Sequence, residues 1–240
     1  MGRVRGEAGV TPVGRSRDSF GKLRGEIVVC RLCPRLVAWR EKVAREKVAR
    51  FRDREYWGRP LPGFGDPAAR LLVVGLAPAA HGGNRTGRVF TGDKSGDWLF
   101  RALHRAGFAN QPASTSIDDG LELRSAWVTA AVKCAPPGNK PTPRETSSCR
   151  PYMEREVRLL RRLRVAVALG RFAFDACLQV LGQGELPRPK PVFAHGAVHG
   201  LPDGIQVVCS YHPSQRNTST GLLKEGAFDA VFTTARRLMG

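Results

Sequence analysis

Four short apolar runs, most of them followed by a helical segment, constrain the fold of this chain more than any other feature. The runs are 71–74, 126–132, 165–169 and 206–210. The helical segments predicted around them are 35–54, 97–107, 151–163, 172–181 and 226–238. Such alternation predicts parallel strands, joined by right-handed crossovers and covered by helices on both faces. The expected fold class is therefore α/β, a three-layer α/β/α sandwich with a central four-stranded parallel sheet.

The loop after the first run is the first place to look for a site. It extends from Gly75 to about Gly96, whereas most strand-to-helix connections run about 2–6 residues, and long ordered loops are usually functional. Its small residues allow close approach of a ligand to the backbone. Ligands of open α/β sheets bind beyond the carboxyl ends of the strands. The loops at 134–149 and 211–217 are expected to converge on the same edge.

The charge balance points to a polyanionic partner. Lys and Arg number 39 against 21 Asp and Glu, a formal net charge of +18. This excess favours nucleic acid first and an anionic membrane surface second. No apolar run reaches the roughly 18 residues of a membrane span, and the N-terminus lacks the apolar stretch of a secretory signal. We expect a flexible basic tail at 1–19 and a single domain at 20–240.

Four of the six cysteines form two pairs. Cys30 and Cys33 make a CxxC, which is typical of metal or cluster ligands and also of redox pairs. Cys134 and Cys149 flank a Pro-rich loop, which a metal centre would hold in shape. We expect these four thiols to bind one centre, and their chemistry leaves zinc and a [4Fe–4S] cluster open. The other two cysteines fall in a predicted helix and strand and are expected to be buried apolar positions.

Two motifs resemble those of the uracil-DNA glycosylase superfamily, and most of all its iron–sulfur family 5, the UDGb type. The first reads GLAPAAHG at 75–82 and continues as RVFTGD at 88–93. The second reads HPS at 212–214 and is followed by Asn217. The two cysteine pairs also stand where that family places its cluster ligands. The resemblance covers the chain from about the first cysteine onward and implies a [4Fe–4S] cluster.

The resemblance assigns roles to individual residues. Base removal builds positive charge on the sugar and negative charge on the departing base, so it needs a carboxylate and a hydrogen-bond donor. Asp93 is the expected carboxylate and His212 the expected donor. The expected contacts to the extruded base are Ala79, His81, Phe90, Asn139 and Asn217, and an aromatic ring among them serves as the stacking platform. The expected contacts to the DNA backbone are Arg85, Arg88, Lys140 and Ser214. Gln215 and Arg216 are also expected to bind DNA, placed to enter the gap that the extruded base leaves.

Ordinary structural roles compete with five of these assignments. Asp93 is also placed to act as a charge at the start of the next helix. Phe90 is also a normal core residue, and His212 a normal turn residue before proline. The two asparagines are likewise common turn residues.

Two departures from family 4 widen the expected substrate range. This chain has GLAPA where those enzymes resemble GEAPG, and Ala130 stands where they carry an Asn that reads the uracil edge. We therefore expect hydrolysis of the N-glycosidic bond of uracil and other deaminated or damaged bases, such as hypoxanthine, in DNA. This reaction initiates base excision repair. No Lys is evidently placed to form an imine, so we expect a monofunctional DNA N-glycosylase.

Two other classes of protein were weighed. A non-catalytic nucleic-acid-binding protein with a structural metal centre fits the charge and the cysteines, but it leaves the loop at 75–93 and the HPS loop without a role. A nucleotide-using enzyme is disfavoured because the first loop lacks both G-x-G-x-x-G and G-K-[ST]. The expected partner is DNA. The expected state is a monomer in a bacterial or archaeal cytoplasm, associated with the nucleoid.

Overall fold

The computed structural model describes residues 18–182 and 188–240. Its helices are α1 (Phe20–Val28), α2 (Pro34–Glu46), α3 (Gly83–Thr86), α4 (Lys94–Arg105), α5 (Pro143–Leu159), α6 (Arg171–Leu181), α7 (Gln215–Ser219) and α8 (Glu225–Leu238). Its strands are β1 (Phe64–Gly65), β2 (Leu71–Gly75), β3 (Ala126–Ala130), β4 (Val165–Leu169), β5 (Val198–Gly200) and β6 (Gln206–Ser210). Two short 3-10 helices lie at Ala49–Phe51 and Pro137–Asn139. In the described part of the chain, no helix is long and apolar enough to cross a membrane.

The predicted tail lies outside the described residues except for its last two positions. Ser19 caps α1 by accepting a hydrogen bond from the Lys22 amide. Asp18 forms an ion pair with Arg155 on α5. These two residues therefore belong with α1 rather than with a tail.

The described residues form one six-stranded sheet in the order β1-β3-β2-β4-β6-β5. The inner four strands, β3, β2, β4 and β6, are parallel throughout. They are the four strands that the apolar runs predict, so the α/β class and the central parallel sheet are confirmed. The expected strand count of four was too low, because β1 and β5 add antiparallel edges. Both edge strands are only two or three residues long, too short to give a clear sequence pattern.

Helices cover both faces of the sheet, as the continuous apolar strands require. One face packs against α4 and α8, where Phe100, Phe228 and Phe232 are buried against Val73 and Val167. The other face packs against α1, α5 and α6, and this layer includes the fully buried Cys177 and Cys209. Each large apolar side chain removed from water in this way contributes about 1.5–3 kcal/mol. The parallel strands are thereby fixed with their carboxyl ends on one edge.

The basic helix predicted at 35–54 is broken in the structure. Helix α2 ends at Glu46, and Lys47 adopts a left-handed backbone with φ of 53°. The chain then continues as the 3-10 helix Ala49–Phe51. The apolar spacing in the sequence carries no sign of this break, because the residues on both sides of it have good helix propensity.

The prediction that the Pro-rich loop extends to Cys149 is also wrong, because the second half of this segment is helical. Helix α5 begins at Pro143, within the predicted loop and eight residues before the helix start expected at Pro151. Thr142 and Glu145 form a capping box, and proline is tolerated at the first helical position. Cys149 consequently lies on a helix.

Candidate active site and cysteine centre

A cleft of about 640 Å³ opens at the carboxyl edge of the parallel strands. Asp93 reaches it from the loop after β2, Asn139 from the loop after β3, and His212 and Ser214 from the loop after β6. The predicted convergence of these three loops is therefore confirmed. The other residues of the cleft wall are Arg50, Phe51, Leu76, Ala77, Ala79, Gly92, Lys94, Ser95, Asp97 and Gln215.

Asp93 is the N-cap of α4 as well as part of the cleft wall. One carboxylate oxygen accepts a hydrogen bond from the Gly96 amide, with an N to O distance of 3.0 Å. The other oxygen lies so close to Gly82 that a Cβ on that glycine would collide with it. Burial raises the pKa of Asp93, and the amides of Gly96 and Ser95 act in the opposite direction. The capping role and the position in the cleft thus belong to the same, firmly oriented carboxylate.

His212 is a neutral imidazole at physiological pH. Burial lowers its pKa to about 4. Its ring stacks on Phe90 with 6.0 Å between centroids, and its backbone oxygen accepts a 2.8 Å hydrogen bond from the Asn217 side chain. A neutral imidazole always retains one N–H that can donate to an anion. The side-chain amide of Asn217 thus bridges the two ends of the HPS loop, and Asn217 is not among the described residues that line the cleft.

Phe90 is held in an uncommon backbone conformation beneath this histidine. Its φ is 55°, in the left-handed region that non-glycine residues rarely adopt. Its ring lies over Gly75, where an added Cβ would come within 2.5 Å of it. The residues that line the described cleft do not include Phe90, because His212 and Gly75 occupy its neighbourhood. Base stacking on this ring stays a prediction.

His81 lies beside the cleft, half-buried, and contacts the Tyr56 hydroxyl. The Nδ1 to Oη distance is 3.1 Å. Burial lowers the pKa of His81, and the nearby cations Arg50 and Arg85 lower it further. Arg85 donates to the backbone oxygens of His81 and Gly92, both at 2.9 Å, and so braces the loop between them.

Arg88 is buried and ion-paired in this structure. Its side chain is 7% exposed and donates to both carboxylate oxygens of Asp119 at 2.7 Å. Thr91 and Ser114 accept from the same guanidinium. Burial alone would raise the pKa of Asp119, but Arg88 and two backbone amides hold it below its usual value. The phosphate contact expected of Arg88 stays a prediction, and in this structure a partner 31 residues away in sequence holds the arginine in the interior.

Three of the other residues predicted to bind DNA, Lys140, Gln215 and Arg216, are exposed, and Gln215 also lines the cleft. Arg85 is half-buried. The Ser214 hydroxyl oxygen caps α7 by accepting from the Asn217 amide. These positions are compatible with backbone contacts, which stay predictions.

Sequence reasoning missed several residues of the cleft wall. Arg50 and Phe51 fall within the continuous helix predicted at 35–54, and the turn after Glu46 brings them to the cleft instead. Tyr56, which follows that predicted helix and had no role assigned to it, contacts His81 beside the cleft. The signal for Arg50 was the aromatic residue beside it, since the two form a cation–π pair.

The two cysteine pairs line a single small cavity. Arg40 donates a hydrogen bond to the Cys134 sulfur at 2.9 Å, and the Lys133 amide donates to the Cys149 sulfur at 3.2 Å. Burial raises the pKa of the Cys134 thiol to about 11 and that of Cys149 to about 12. Among the described residues, no group of three or more His, Cys, Asp or Glu side chains is arranged to hold a single metal ion. Four thiols lie around one cavity and two of them face N–H donors, so this donor set fits a centre bound by four thiolates.

Comparison with known proteins agrees with the resemblance found in the sequence motifs. The model of the uracil DNA glycosylase superfamily matches residues 62–236. A type-5 uracil-DNA glycosylase from Thermus thermophilus is 52% identical over 214 residues, which cover 89% of this chain and 95% of the relative. One from Mycobacterium tuberculosis is 50% identical over 223 residues, 92% of this chain and 82% of the relative. A type-4 uracil-DNA glycosylase from Pyrobaculum aerophilum is 28% identical over 163 residues, 67% of this chain and 74% of the relative. The chain therefore belongs to the uracil-DNA glycosylase superfamily and, within it, to the type-5 uracil-DNA glycosylases.

Proposed function

We propose that this enzyme removes uracil, and other deaminated bases such as hypoxanthine, from DNA as the first step of base excision repair. Uracil-DNA glycosylase activity is supported by the family, since the type-5 relatives carry that name at about half identity. The observation that carries the mechanism is the cleft that combines the carboxylate of Asp93 with the neutral imidazole of His212.

The two side chains suit the two charges of the reaction. As the N-glycosidic bond breaks, the sugar becomes positive, and Asp93 stabilises this charge and orients the attacking water. The base leaves as an anion, and the N–H of His212 donates to its carbonyl oxygen. Because the imidazole is neutral, it donates without placing a second full charge beside the base. The nucleotide must first leave the base stack, as in other enzymes that act on bases.

Two alanines support a broad substrate range. Ala79 lines the cleft, and Ala130, at the end of strand β3, is buried and is not among the described residues that line it. Neither side chain can hydrogen-bond a base edge, so neither position rejects a base that lacks a matching group. We therefore expect hypoxanthine, a deaminated purine, to be accepted alongside uracil.

The test is incubation of the purified enzyme with duplexes that contain one uracil or one hypoxanthine, followed by alkali. Strand cleavage is expected after alkali on both duplexes. No cleavage is expected without alkali, because a monofunctional glycosylase leaves the abasic strand intact. A matched duplex of normal bases is the control. Intact strands after alkali on both damaged duplexes would refute the proposal and favour the non-catalytic nucleic-acid-binding alternative.

We further propose that Cys30, Cys33, Cys134 and Cys149 hold a [4Fe–4S] cluster. The support is the convergence of the four thiols on one cavity. The cluster supplies a rigid link between the chain segments it joins, and no step of the reaction is assigned to it. Anaerobically purified protein is expected to contain about four irons and four sulfides. The Cys33→Ser variant should lose this iron and sulfide. The control variant Cys177→Ala, at a core cysteine outside the cavity, should retain both. One zinc per chain without iron would refute the proposal.

A further inference from the structure

The 3-10 helix Ala49–Phe51 forms one wall of the active-site cleft through Arg50 and Phe51. The position results from the end of α2 at Glu46 and the left-handed turn at Lys47. Without that turn, a continued α2 would carry these side chains away on a solvated helix. The turn therefore creates a cationic wall that the sequence did not predict.

Two guanidinium groups share the ring of Phe51. The Arg50 guanidinium carbon lies 4.6 Å from the ring centroid, and that of Arg85 lies 4.0 Å from it. An aromatic face attracts a cation and restricts its movement. Arg85 also donates hydrogen bonds to two backbone oxygens, which restricts its movement. The Phe51 ring that contacts both arginines is therefore held in a defined position beside Arg50.

Arg50 lacks a compensating negative charge. Within the described residues, no carboxylate lies within ion-pair distance of its guanidinium, although the protein forms many such pairs elsewhere. Burial lowers the pKa of His81 and of Arg85, and the nearby positive charge of Arg50 lowers both further. Adjacent like charges are unfavourable unless an anion joins them.

The rest of the cleft wall includes the polar side chains of Asn139, Ser214 and Gln215 and a second exposed cation, Lys94. A DNA strand that delivers a nucleotide into this cleft brings its phosphates past this wall. Among the described residues that line the cleft, Arg50 is the one that offers a guanidinium, the group best matched to a phosphate because it can donate two parallel hydrogen bonds.

We propose that Arg50, supported by Phe51, binds a backbone phosphate next to the nucleotide that enters the cleft. This inference rests on the proposed function for the identity of the ligand. Phosphate contacts position the strand without reading sequence. Arg50 therefore acts in binding and leaves the charge chemistry of Asp93 and His212 unchanged.

The experiment measures the salt dependence of binding to a duplex that contains a stable abasic-site analogue, so that turnover plays no part. Each lost phosphate contact reduces the slope of log K against log salt by about 0.9. Arg50→Gln is expected to show this reduction and weaker binding, and Arg50→Lys to keep the slope. Arg52→Gln, an exposed arginine of the same segment outside the cleft wall, is the matched control and is expected to match the wild type.

An unchanged slope for Arg50→Gln would overturn the inference. An equal reduction in Arg52→Gln would overturn it too, because the effect would then come from the general positive field. Thermal melting of each variant checks folding, which an exposed side chain is not expected to disturb. Base release by the wild type is assayed separately, so failure of the proposed function remains distinguishable from failure of this inference.

Discussion

Asp93 shows how one side chain combines a structural and a chemical position. Its capping bond to Gly96 fixes the carboxylate at the start of α4, and the missing side chain of Gly82 leaves room for the second oxygen. The competing role recognised in the sequence, a charge at the helix start, is thus real and does not exclude the cleft position. A carboxylate oriented by its capping bond is well suited to orient water.

Asp93→Asn is expected to retain DNA binding and to lose base release by roughly 10²–10⁴-fold, because the amide keeps the shape and removes the charge. Single-turnover kinetics on uracil-containing duplex, combined with a binding assay, measure both effects. Asp97→Asn removes a charge from the same helix and cleft wall and is the comparison, with a far smaller loss expected. Near-wild-type rates in Asp93→Asn would remove this residue from the mechanism.

His212 gives the enzyme a predictable response to acid. Its folded pKa, about 4, lies below its ordinary value of 6.5, so the unfolded chain takes up the proton first as the pH falls. The free energy of unfolding should therefore decline between pH 6.5 and pH 4 by more in the wild type than in His212→Gln. Urea unfolding across this range measures the difference.

The matched control for that experiment is His104→Gln, at an exposed position on α4. It should retain the full decline of the wild type. Nuclear magnetic resonance of the His212 ring supplies an independent check, and titration near pH 6.5 would contradict the assignment of a buried neutral imidazole.

At the element scale, the loop between β2 and α4 brings the backbone of Gly82 close to the carboxylate of Asp93. Gly82→Ala would place a Cβ against the Asp93 carboxylate. We expect this change to displace the carboxylate and to reduce base release strongly, with binding less affected. Gly226→Ala, on α8 with open space around its Cα, is the control and should be neutral or slightly stabilising. Wild-type activity in Gly82→Ala would show that the loop tolerates a shifted Asp93.

A second element-scale contact joins this loop to the segment before β3. Arg88 and Asp119 are both less than a tenth exposed, so removal of one partner leaves a buried charge without compensation. Arg88→Met or Asp119→Asn alone should cost about 3–5 kcal/mol of stability. The double variant should cost less than the sum of the two, and a double-mutant cycle by urea unfolding measures this coupling. Simple additivity would contradict a direct interaction.

Helix ends were the least predictable elements, for two different reasons. The start of α5 was encoded in Thr142, Pro143 and Glu145, a capping signal that the proline content of the segment obscured. The end of α2 has no comparable signal in its residues. There the chain turns at Lys47, and Phe51 then lies within cation–π distance of Arg85, a residue 34 positions further along the chain.

At the scale of the whole molecule, the cysteine cavity joins distant parts of the chain. Cys30 and Cys33 precede α2, Cys134 follows β3, and Cys149 lies on α5. Arg40 connects this centre to the active-site loop, since its guanidinium donates to the Cys134 sulfur and its backbone oxygen accepts from Asn84. A bound group at this centre would hold α2, and with it the wall at Arg50, in place.

Removal of the proposed cluster should therefore lower the melting temperature of the protein, because a group that binds only the folded chain stabilises it. Thermal unfolding before and after treatment with acid and chelator, with iron measured in both samples, tests this expectation. Reconstitution with iron and sulfide should restore the original melting temperature. Equal melting temperatures with and without iron would contradict a stabilising role.

The sequence by itself determined the α/β class, the four parallel strands, the edge at which their loops meet and the family. These properties depend on apolar periodicity and on local motifs, which can be read over short stretches of chain. The tertiary structure alone decided that Arg88 is buried against Asp119 and that Arg50 reaches the cleft. Each of these depends on contacts between residues far apart in the chain, and the energy of such contacts exists only once the backbone has brought the partners together.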